Sequence, residues 1–139
     1  MTIATKTPSQ VKLLVFREIC RHDNDLMSSW VPLPATVIAK CLNISLYQCR
    51  KQMQRLVRDG LAVRSSCAPL YVEDCTLPYH GFLITEKGRD TDIYRYCALK
   101  SARICAECFG GSMEQFLPET FNYAWIGKEA PKRDQLFEI

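Results

Sequence analysis

The sequence predicts a mainly α fold with a small β-hairpin, an α+β arrangement extended by an additional long C-terminal helix. Three observations carry this. Apolar residues recur at helical spacing in four segments of the 139-residue chain. Two short apolar runs, at 61–64 and 82–84, bracket an aperiodic stretch that holds two prolines and a glycine. Capping residues stand where the patterns change, with Ser45 and Thr85 at starts and Gly60, Gly110 and Gly111 at ends.

The first helix is expected over 8–22. Val11, Leu14, Val15 and Ile19 share one face, with Lys12, Arg17 and Arg21 elsewhere. Pro8 sits in the first turn, where its missing N–H costs nothing. His22, Asp23, Asn24 and Asp25 break the pattern. A brief strand is expected within 26–33, around Trp30 and Val31. Pro34 opens a second helix over 35–42, with Val37, Ile38, Cys41 and Leu42 apolar; Asn43 stops it and Ile44 plugs the turn.

Ser45 is a good N-cap for a third helix, because its hydroxyl accepts from backbone N–H groups in the first turn. Gln48, three residues on, completes a capping box. This helix turns Leu46, Cys49, Met53, Leu56 and Val57 inward, and Tyr47, Gln48, Arg50, Lys51, Gln54, Arg55 and Arg58 outward. Gly60 is a natural left-handed residue after its end. The apolar runs then make a hairpin with a long tip across 65–81. Thr85 caps a fourth helix, and Glu86 suits its positive end. Residues 89–109 continue it with a broad apolar face of Ile93, Tyr94, Cys97, Ala98, Ile104, Cys105 and Cys108. Residues 112–139 are expected as a short helix and an extended arm. The division expected is therefore 8–88, 89–111 and 112–139.

Apolar residues make up 47% of the chain and charged residues 24%, a balance that suits a globular protein and not a disordered one. Net charge is +3, but it is unevenly placed. Residues 40–64 hold six cations (Lys40, Arg50, Lys51, Arg55, Arg58, Arg64) and one anion, Asp59, a balance of +5; the remainder carries −2. A basic patch on a near-neutral body is the footprint expected for phosphate contact. No apolar run approaches the roughly 18 residues needed to span a bilayer, so no membrane partner is expected. The polar first ten residues lack the apolar stretch of a signal peptide. The eight cysteines are then expected as reduced thiols in the cytoplasm.

The order of helix, short strand, helix, tight turn, basic helix, glycine and hairpin resembles the bacterial winged helix-turn-helix transcriptional regulators over residues 8–89. The matching stretch is LPATVIAKCLNISLYQCRKQMQRLVRDGLAVR, residues 33–64. Ala39 stands where the family packs two helices closely. Asn43-Ile44-Ser45 matches the inter-helix turn, and Leu56 with Asp59-Gly60-Leu61 matches the exit into the wing. GFLITEKGR, residues 81–89, is similar to the second wing strand and the helix after it.

This resemblance implies sequence-specific binding of double-stranded DNA. The broad apolar face of helix 89–109 is expected to supply the seam of a homodimer, since a chain of this size reads two half-sites most simply as a two-fold pair. The third helix would lie in the major groove, its N-terminal residues, Ser45 and Tyr47 among them, nearest the base edges. Arg50 would bond guanine O6 and N7, and Gln48 or Gln54 would pair with adenine. Lys51, Arg55, Arg58 and Arg64 would hold phosphates, which fix register without reading sequence.

The chain departs from the pattern at the wing tip. Residues 65–80 offer Glu73 and Asp74 with Tyr71 and Tyr79, and only Arg64 and His80, at the base, are placed to meet DNA. The acidic tip, and a tail with Phe116, Phe121, Tyr123, Trp125 and Phe137, suit a protein partner instead. A second reading is therefore an interaction or assembly module that uses the winged fold without DNA.

A third reading is a thiol- or zinc-responsive regulator. Cys105 and Cys108 form a CxxC at a helix end; zinc there needs further thiolates from Cys67, Cys75 or Cys97, with the wing folded back over the fourth helix. Cys20, Cys41 and Cys49 fall on apolar faces and are expected to act as small hydrophobes. No cofactor is implied. There is no GxSxG, no phosphate-binding glycine loop and no HExxH, and His22 and His80 stand far apart, so no enzyme is expected.

Overall fold

The computed structural model describes residues 7–25, 29–72 and 75–117. Among them are five α-helices and one small antiparallel sheet, so the fold is mainly helical α+β. Helix α1 (Pro8–Asp23) begins at Thr7, whose hydroxyl accepts from the Gln10 N–H while the Gln10 side chain accepts from the Thr7 N–H at 2.9 Å. It buries the four residues of its expected face and also Leu13, Phe16 and Cys20. Two faces are covered because α1 packs against α3 (Leu46–Arg58) on one side and α5 (Asp92–Phe109) on another. Each of these large apolar side chains contributes about 1.5–3 kcal/mol by leaving water.

Helix α2 (Ala35–Leu42) ends at Asn43, whose φ of 52° is the left-handed conformation that asparagine tolerates. It buries Ile38 and Ala39, whereas Val37 and Cys41 face solvent, so Cys41 is no core hydrophobe. The helix is short and one side of it meets α3, which leaves its outer apolar residues uncovered. Ile44 packs on the core from the turn, as its position there predicts.

The strands run further than the sequence indicates. β1 (Ala62–Val72) and β2 (Cys75–Ile84) pair from Ala62↔Ile84 out to Val72↔Cys75, so the expected long tip is ladder almost to its end. The register slips once, between Cys67 and Leu70, where Ala68 and Pro69 face Pro78. A two-stranded ribbon is held by backbone hydrogen bonds and needs no alternating apolar pattern. Proline, lacking an N–H, is accommodated at such a bulge. The brief strand expected at 26–33 reduces, among the described residues, to a single bridge. Leu33 and Phe82 exchange both backbone hydrogen bonds at 2.9 Å. Residues 26–28 lie outside the described residues.

The fourth helix is two. α4 (Glu86–Arg89), capped by Thr85, stops at Asp90, and α5 restarts after Thr91. The buried Thr91 hydroxyl donates to the Gly88 carbonyl at 2.7 Å and accepts from the Tyr94 N–H at 3.3 Å, a second N-cap inside what reads as one helix. A Cβ on Gly88 would stand 2.4 Å from the Leu61 carbonyl oxygen, so glycine here permits the approach of α4 to the hairpin base. The core runs continuously from α1 and α3 through α5 to Leu117. A short 3-10 helix, Met113–Phe116, follows α5. The arm expected beyond it, 118–139, lies outside the described residues, as do Glu73 and Asp74. Among the described residues no helix is long and apolar enough to cross a membrane.

Candidate nucleic-acid interface

Helix α3 supplies the basic face. Its buried stripe is Cys49, Gln52, Met53 and Leu56, at i, i+3, i+4 and i+7. Gln52 holds a stripe position that the apolar pattern passes over; its side-chain oxygen accepts weakly from Arg55 at 3.5 Å. The Cys49 thiol donates to the Ala35 carbonyl at 3.4 Å, which links α3 to the first turn of α2. Burial pushes that thiol up to about 11, so it remains protonated.

The N-terminus of α3 is closed by its own side chains. Ser45 Oγ accepts from the Gln48 N–H at 3.1 Å, and Gln48 Oε1 accepts from the Ser45 N–H at 3.3 Å. Bidentate pairing of Gln48 with adenine needs that same oxygen, so it competes with the cap. Tyr47 is 73% exposed, with the Lys51 ammonium 6.0 Å from its ring centroid, the outer limit of a cation–π contact.

Arg50 and Gln54, one turn apart and both exposed, face a groove of about 870 Å³. Its opposite wall is the hairpin base, with Arg64, Ser65, Ser66 and His80. Its floor is the start of α2, from Pro34 to Thr36. Pro34 offers no side-chain cap, so the first turn of α2, the positive end of the helix dipole, keeps backbone N–H groups without a side-chain acceptor beside the groove. Gly81 brings the hairpin wall onto the floor. A Cβ there would stand 2.6–2.8 Å from backbone atoms of Pro32 and Leu33, the segment that leads into α2.

The remaining predicted cations lie off this groove. Arg55 leans on Gln52, and Arg58 lies 3.6 Å from Asp59. Asp59 is itself held by Lys12 at 2.6 Å; that hydrogen bond, more than any other influence, keeps its carboxyl below the usual range. Lys87 donates to the Asp59 backbone carbonyl at 2.9 Å, a cation at the negative end of α3. Sequence reasoning missed Thr36, Ser65 and Ser66. Their hydroxyls carry no periodic signal, and only the crossing of α2, α3 and the hairpin gathers them.

Among the described residues no three His, Cys, Asp or Glu side chains converge as metal ligands. Cys105 is half-buried and Cys108 exposed, whereas Cys97 is buried in the core. The side chains of Cys67 and Cys75 lie outside those described. No known protein-family model matches the chain, and searches of curated proteins and of solved structures return no match.

Proposed function

We propose that the chain carries a winged helix-turn-helix domain and binds double-stranded DNA sequence-specifically, as a transcriptional regulator. The observation that supports this most is the shared groove. Arg50 and Gln54 from α3 and Arg64 and His80 from the hairpin base, far apart in sequence, line one concave surface at the start of α2. Arg50 and Gln54 have the chemistry to read guanine and adenine edges. Arg64 and the α2 N-terminus have the chemistry to hold the flanking phosphate backbone. Ser45 and Gln48 serve as the cap that presents them.

The regulator acts as a homodimer in this reading, so that two half-sites are read by a two-fold pair. The seam is narrower than the whole helix. Ile93, Tyr94, Cys97 and Ala98 are buried in the chain's own core, which leaves Ile104 and Phe109 exposed near the end of α5. Sedimentation at micromolar concentration tests that part.

Electrophoretic retention of a duplex selected from a random pool tests the DNA reading. Arg50→Ala combined with Arg64→Ala is expected to abolish retention, while Arg103→Ala, an exposed cation on α5, leaves it intact. Unaltered retention by the double variant removes the groove from the mechanism.

A further inference from the structure

His80 shares one face of the hairpin with Arg64. The register pairs His80 with Ser66 and Phe82 with Arg64, and residues opposed in an antiparallel ladder send their side chains to the same side. Arg64 and Ser66, two apart on β1, point to that side together. His80 is therefore a diagonal neighbour of Arg64, about 7–8 Å away and within reach of a long side chain. Ser66, directly opposite, is small, and His80 is exposed. This face lines the groove, with Arg50 and Gln54 of α3 on the other wall.

The charges that meet His80 there are of one sign. Arg64 comes from β1 and Arg50 from α3, while α2 and the rest of β2 contribute only uncharged residues to the lining. Among the described residues no carboxylate lines the groove. A guanidinium keeps its charge at any pH a folded protein meets, so Arg50 and Arg64 offer a phosphate the same attraction in mild acid as in mild base. Histidine differs. Its charge changes between about pH 5 and 8, and an anion beside an imidazole favours the protonated form. A neutral imidazole offers a phosphate one N–H donor, whereas an imidazolium offers two and a positive charge.

We propose that His80 is a phosphate contact that binds as the imidazolium, so that the groove takes up a proton when it takes up DNA. The imidazole gains the proton from solvent, and the cation formed donates to a phosphodiester oxygen next to the contact made by Arg64. This role rests on the DNA reading of the groove and adds its regulation: affinity rises as pH falls from about 8 to about 6. The other histidine of the chain, His22, is engaged elsewhere, with its Nε2 2.5 Å from the Val31 carbonyl oxygen.

The test titrates the intact chain into a selected duplex, followed by fluorescence anisotropy at about pH 6 and about pH 8 over a range of salt. Wild-type affinity is expected to be roughly tenfold higher at the lower pH. Its salt slope should steepen there by up to about 0.9, the mark of one more phosphate neutralised. His80→Gln is expected to bind alike at both pH values. His80→Arg, whose charge does not titrate, should show the steeper slope at both. His22→Gln should keep the wild-type difference. Equal wild-type affinity at the two pH values, or a difference that survives in His80→Gln, would overturn the role of His80 and leave the DNA reading in place. Absence of duplex binding at either pH would overturn both.

Discussion

Arg89 closes on Asp23 with two hydrogen bonds, from Nε at 3.1 Å and Nη2 at 3.0 Å, and Tyr94 donates its hydroxyl to the same carboxylate at 2.9 Å. One anion at the end of α1 thereby holds both sides of the break between α4 and α5. Asp23→Ala leaves the Tyr94 hydroxyl without its acceptor and is expected to cost about 1–3 kcal/mol, toward the lower figure because Arg89 is partly solvated. Urea unfolding measures it, as a lower midpoint with unchanged slope. A double-mutant cycle with Arg89→Ala is expected to show coupling.

Acid should find Asp59. Lys12, chiefly by its hydrogen bond, lowers the folded carboxyl below its unfolded value. A depressed folded pKa contributes stability that is full above the unfolded pKa, near about 4, and is lost as pH falls through the folded one. Thermal midpoints recorded downward from about pH 6 are expected to fall less steeply for Asp59→Asn than for wild type below about pH 4. Parallel curves would assign the acid limb elsewhere.

Much of the helical architecture was legible because α1, α2 and α3 each bury a periodic stripe and end at residues with a local reason to end them. Asn43 and Ser45 need no tertiary contact to act. The rest depended on contacts distant in sequence. The break at Thr91 is capped locally, but Gly88 just before it is needed for the close approach of α4 to Leu61, which no local pattern announces. The outer ladder of the hairpin leaves no apolar alternation to read. Arg50 and Gln54 were legible as an exposed basic face, but their meeting with Arg64 and His80 depends on how α2 and the hairpin cross.

Gly81→Ala is expected to destabilise the fold by about 1–3 kcal/mol, since the added methyl meets backbone, which cannot yield as a flexible side chain does. The exchange between Leu33 and Phe82 should loosen with it. Amide exchange at those two residues measures this, and unchanged protection would contradict the account of how the hairpin is held on the groove floor.

Ser45→Ala is expected to cost about 1 kcal/mol through loss of the cap. If Ser45 acts only as a cap, DNA affinity measured well below the unfolding transition should change little and its salt dependence not at all. Loss of affinity without loss of stability would place Ser45 on the DNA.

The groove itself is tested most directly by titrating a selected duplex, followed by fluorescence anisotropy, across a range of salt. Wild-type affinity is expected to fall linearly on logarithmic axes as phosphate contacts release counterions. Arg64→Ala should weaken binding to all sequences and flatten that slope by about 1, while Arg50→Ala should cost about 1–3 kcal/mol and relax discrimination at a single base pair. Wild-type binding that ignores salt, or variants that match wild type in slope and discrimination, would contradict the assignment of this surface to DNA.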